Sequence, residues 1–189
     1  AHWLTWLNAF FVSSKLQISR RYTLDNYLGY GTQLCIGVDA SPVGMGGWLE
    51  TDGVITEYFS TPNTTTDEAI LGVNKGECRG QQLWELLAVL ISLRQWVTDA
   101  RRVHLRLVGD NVGALTLAFR LRPKGRQMAI LAREIALVLS DMAFPIKPIH
   151  TPGIAHVLAV QLSRLHEDEN QSILQHPALT AAKRIVPPK

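Results

Sequence analysis

Asp39, Glu85 and Asp110 are acids set in apolar surroundings. Asp39 closes the alternating run Leu34 to Val38, and Glu85 interrupts Leu83-Trp84-Glu85-Leu86-Leu87. Asp110 ends the run His104 to Val108, just ahead of a helical stretch. Each has an ordinary reading by itself: aspartates cap helices and make turns, and Glu85 fits the solvated side of a helix. Together, three uncompensated carboxylates in one pocket repel and are costly to bury. A divalent cation with a preference for oxygen removes that cost, and Mg²⁺ suits such a site.

The elements that must position them can be read from periodicity. Three short strands are expected at Leu34–Asp39, Gly44–Glu50 and Val54–Phe59, the last two joined by the hairpin signal Asp52-Gly53. A polar loop follows from Thr61 to Asp67, then a long helix from Cys78 to Val97. Val103–Val108 reads as a fourth strand, Asn111–Leu121 and Arg126–Met142 as helices, Pro145–His150 as a fifth strand and Ala155–Leu165 as a last helix. Hairpins first and crossovers afterwards predict an α/β fold: a mixed five-stranded sheet flanked by helices. Strands one and four, each followed by a crossover, can lie parallel and adjacent. That brings Asp39 and Asp110 to the carboxyl ends of neighbouring strands, where ligands gather in α/β sheets.

With 189 residues and 47% hydrophobic content, the chain can bury a core without staples. The apolar run Leu83–Leu93 is too short to span a bilayer, so no membrane association is expected. The chain opens at Ala1 and reads as a piece of something longer. Cys35 and Cys78 are too few and too far apart for a zinc motif or a disulfide framework. They point to a reducing, intracellular compartment, cytoplasm or nucleus. The net charge of +3 is compatible with nucleic acid but does not select it. Three regions are expected: an arm over 1–31 with an amphipathic helix from Trp3 to Phe11 and a linker from Arg20 to Tyr30, a main domain over 32–168, and a loose tail over 169–189.

Four motifs in order carry a family resemblance. Ile36-Gly37-Val38-Asp39-Ala40-Ser41-Pro42 with Gly44-Met45-Gly46-Gly47-Trp48-Leu49 resembles the opening hairpin of RNase H domains in retroelement reverse transcriptases. Glu77 to Ala88 is similar to their catalytic-glutamate helix, and Gly109-Asp110-Asn111 to their third motif. His150-Thr151-Pro152-Gly153 with Val157 to Arg164 resembles the closing element. The flavour is that of LTR or tyrosine-recombinase retrotransposons. This resemblance implies cleavage of the RNA strand of an RNA–DNA hybrid with two Mg²⁺ (or Mn²⁺) ions, held by Asp39, Glu85 and Asp110. It also implies a polymerase domain of the parent polyprotein as partner. Where the family has a fourth aspartate this chain has Val160, which cannot ligate a metal. By that pattern the second ion site is one carboxylate short. His156, one turn earlier on the same helical face, is the leading substitute, with Glu167 and Asp168 behind it.

Further positions follow from the same reading. His150 is either a proton-transfer auxiliary or a partner for loop backbone. Arg120, Arg122, Lys124 and Arg126 fall on alternate residues and suit phosphate contacts, or simply a solvated connector. Ser41, Asn111 and the Gly44–Gly47 run are candidates for minor-groove contacts to the hybrid. Trp48 and Trp84 are expected in the core. The competing functions are a metal-dependent endoribonuclease impaired by Val160 and a catalytically silent module that binds nucleic acid or protein. A transposase or integrase core fits less well, because Glu85 follows directly on the hairpin unit.

Overall fold

The computed structural model describes residues 2–12, 24, 28, 30–97, 103–140, 146–167 and 176–187. Most of the linker from Arg20 to Tyr30, and Asp168, lie outside these. In chain order the elements are α1 (His2–Val12), β1 (Thr32–Ala40), β2 (Gly44–Thr51), β3 (Val54–Pro62), α2 (Thr65–Leu71), α3 (Gln81–Trp96), β4 (Val103–Gly109), α4 (Val112–Arg120), α5 (Arg126–Ser140), β5 (Ile146–His150), α6 (Val157–Ser163) and β6 (Lys183–Arg184).

The sheet runs β5-β4-β1-β2-β3-β6. The hairpin strands are antiparallel, while β4 is parallel to both β1 and β5. The expected mixed α/β sheet is present, with one strand more than the five anticipated. That sixth strand, β6, pairs parallel with β3, and Ile185 N–H donates to the Tyr58 carbonyl. With Leu179 buried as well, the described part of the tail is docked on the sheet, so the expectation of a loose tail is corrected there.

Period-two alternation divides the sheet into two faces. Leu34, Ile36, Val38, Met45 and Phe59 join residues of α3, α4 and α5, including Trp84, Leu86 and Ile135, in the main core. The opposite face carries Tyr58 and Trp48, which meet Leu162, Leu158 and Leu165 of α6 and its flank, together with Leu179. Trp84 is fully buried, and the Trp48 indole packs against Gly37, where an added Cβ would overlap it at 2.2 Å. Both tryptophans are packing residues.

One helix falls where a loop was expected. Thr64 accepts from Asp67 N–H while the Asp67 carboxylate accepts from Thr64 N–H, a capping box that starts α2. Gly72, in the left-handed region at φ 63°, ends it. Leu4, Leu7, Phe11 and Val12 of α1 are exposed. No described helix is long and apolar enough to cross a membrane.

Candidate active site

Asp39 is the penultimate residue of β1 and Asp110 directly follows β4. The parallel register, Ile36 opposite Leu107 and Gly37 opposite Val108, brings the two aspartates to the same sheet edge. Glu85 lies in the second turn of α3, which crosses the sheet next to β1. One carboxylate oxygen from each acid lies within 4.8 Å of the others. Asp39 and Glu85 are buried, at 5% and 4% exposure, and Asp110 is half-buried. Together with Ala40, Gln81, Asn111, Gly153, Val160 and Arg164 they line an open cleft of about 490 Å³.

The electrostatics of the cleft are those of acids forced together. Burial lifts Asp39 to about 6; the Ser163 hydrogen bond works against that, and the neighbouring Asp110 charge adds to it. Burial lifts Glu85 further, to about 9, with Asp39 beside it as the next cause and the hydrogen bond from Gln81 pulling the other way. Such a donor set is oxygen-only, with more negative than positive charge around it, which matches a hard divalent cation. Gly153 contributes room: a Cβ there would approach an Asp110 carboxylate oxygen to 3.0 Å.

Several neighbours fix these acids. Ser163 Oγ–H donates to Asp39 Oδ2 at 2.5 Å. Gln81, one turn before Glu85, donates through Nε2 to Glu85 Oε1 at 3.0 Å and also to the Ala40 carbonyl. Asn111 caps α4, its Oδ1 accepting from Ala114 N–H at 3.0 Å. Gln81, Ser163 and Arg164 escaped the sequence reading of the site. All three lie within the motifs that carry the family resemblance, and spacing added a further signal for two: Gln81 stands four residues before Glu85, and Arg164 four after Val160.

Not every candidate joins the cleft. His156 is buried, and its Nε2–H donates to the Val38 carbonyl at 2.8 Å. That nitrogen is spent on the backbone, so His156 anchors α6 to β1 and does not stand in for the missing carboxylate. Glu167 is likewise absent from the group of converging acids. Ser41 is buried in the β1–β2 turn, its hydroxyl donating to the Ser163 carbonyl at 3.0 Å and accepting from Gly44 N–H. Added Cβ atoms at Gly44 and Gly46 would strike α6 backbone at 2.7 and 2.5 Å. Ser41, Gly44 and Gly46 are therefore packed closely against α6. His150 is exposed at the end of β5, outside the cleft lining.

Arg120, Arg122, Lys124 and Arg126 are all exposed. The first three line a second depression of about 470 Å³ with Gln82, Val112, Gly113, Thr116, Leu117 and Met128. It abuts the acidic cleft, because Gln81–Gln82 and Asn111–Val112 are consecutive pairs divided between the two.

No family model matches the sequence, and no curated protein matches it. Solved structures do. RNase H1 from the halophilic archaeon Halobacterium salinarum NRC-1 is similar with a TM-score of 0.54 at 14% identity, over 72% of this chain and 98% of that one. The chain has the RNase H fold. The N-terminal RNase H domain of rv2228c from Mycobacterium tuberculosis, solved as a fusion with maltose-binding protein, gives 0.53 at 13% identity, over 77% and 98% of the two chains. At these identities the likeness concerns the RNase H fold alone, and the chemistry rests on the side chains in the cleft.

Proposed function

We propose that this chain is a metal-dependent endoribonuclease that cuts the RNA strand of RNA–DNA hybrids, slowed by Val160 at the position of a fourth carboxylate. The observation that carries this reading is the convergence of Asp39, Glu85 and Asp110 within 4.8 Å at the carboxyl ends of β1 and β4. These three would hold Mg²⁺ or Mn²⁺, which when bound supplies an activated water and stabilises charge on the leaving 3′ oxygen. Ser163 and Gln81 hold Asp39 and Glu85 in place, so little reorganisation is needed when a cation enters. Arg120, Arg122 and Lys124 offer phosphate contacts along the adjoining depression, with Arg126 exposed beyond it. Asn111, on the boundary between the two clefts, is suited to contact the strand being cut. The motif resemblance supports descent from a retroelement reverse transcriptase, and the exposed apolar residues of α1 suit a partner such as its polymerase domain.

Val160 favours a second reading, a silent RNase H-like module that binds nucleic acid or protein, because at this position the cleft is offered only methyl groups. Incubation with a labelled hybrid and Mg²⁺ or Mn²⁺ separates the two. Weak cleavage by the parent, none by Asp39→Asn and a clear gain in Val160→Asp is expected for the nuclease. Silence in all three leaves the binding module, and equal cleavage by all three excludes this cleft as the source.

A further inference from the structure

The cleft contains one cation of its own. Arg164 follows Val160 by a single helical turn, and both line the same cavity as the three acids. It is exposed at the end of α6, and its positive charge is felt at Asp39, where it favours the ionised carboxylate. Arg164 belongs to neither Arg94–Glu134 nor Arg106–Glu50, so among the described residues its guanidinium is in no ion pair. Three acids converge here, and Val160 adds no oxygen. A second divalent ion would lack a ligand on that wall and would be repelled by the arginine.

We propose that this cleft takes a single divalent cation and that Arg164 supplies the second positive centre, its guanidinium gripping a phosphate oxygen of the bound RNA strand. A planar fork of N–H donors suits a phosphate, and its exposed position at the cleft mouth leaves it accessible to a strand. The inference rests on the metal-dependent reading above, and the two fail differently.

The test is titration of the full chain with Mn²⁺, followed by electron paramagnetic resonance of the free ion, for the parent, Val160→Asp, Arg164→Gln and Arg164→Lys. One Mn²⁺ per parent chain and a second equivalent in Val160→Asp are expected. Arg164→Gln should keep one ion but bind it roughly three- to tenfold more tightly, because a like charge has gone. The same variant should cleave hybrid about tenfold more slowly at saturating Mn²⁺, with much of the loss restored in Arg164→Lys. Two ions in the parent, or an Arg164→Gln variant unchanged in both cation affinity and cleavage, overturns the inference. If no variant binds Mn²⁺, the metal-dependent reading itself falls and takes the inference with it.

Discussion

Asp39 and Glu85 are held in the protein with their carboxyls raised to about 6 and about 9, by burial first and by their neighbours' charge next. The folded state therefore binds more protons than the unfolded state between the ordinary carboxylate range and those values. Linkage then makes the contribution of these two carboxyls to stability largest in acid and smaller as pH climbs through about 6 and on towards 9. In the absence of divalent cations, the calorimetric Tm should fall by about 5 °C or more from pH 5 to pH 9. Mn²⁺ should raise Tm more at pH 8 than at pH 5, and Glu85→Gln should flatten the slope; a Tm that rises with pH would contradict this. These acids were legible in the sequence because a charge breaks an apolar pattern. The parts played by Gln81, Ser163 and Arg164 were not, because membership of a motif does not show that Gln81 bonds Glu85, that Ser163 bonds Asp39 or that Arg164 lines the cleft. His156 was legible as a candidate and misleading, since only coordinates show its Nε2 on the Val38 carbonyl.

At the scale of elements, the site depends on α6 lying directly on the hairpin. Leu162 and Ser163 occupy the space that a side chain at Gly46 would need. Gly46→Val should therefore cost about 1–3 kcal/mol in denaturant unfolding, and should also weaken Mn²⁺ binding by shifting Ser163 from Asp39. Thr64→Ala removes the cap of α2 and should cost about 1 kcal/mol while leaving Mn²⁺ affinity unchanged, because α2 supplies no residue to the acidic cleft. The contrast between the two variants separates loss of stability from loss of the site. Strands β1 to β5 and helices α3 to α5 were legible because their patterning is long and regular. Helix α2 was not: its Thr-rich start resembles a loop, and the signal lay in the Thr64–Asp67 spacing alone. The glycine run was visible, but its reason, the close approach of a helix from 116 residues further along at Leu162, was not.

For the molecule as a whole, the mixed order β5-β4-β1-β2-β3-β6 makes β1 the strand that neighbours both the hairpin and the parallel half of the sheet. A chain that reads β1 to β4 in parallel register must bring Asp39 and Asp110 to one end, so the meeting of these acids follows from topology. Strand β6 was beyond sequence reading, since a two-residue strand has no periodicity to detect. Removal of residues 176–189 should expose the edge of β3 and the cluster around Tyr58, and lower Tm by roughly 2–4 °C. Everything functional depends on the three acids sharing one cation. Crystals grown with Mn²⁺ and measured at the manganese absorption edge test this most directly. The expected result is an anomalous peak within about 2.5 Å of oxygens from Asp39, Glu85 and Asp110 together. A map with no peak in the cleft, or with Mn²⁺ bound elsewhere on the protein, would contradict it.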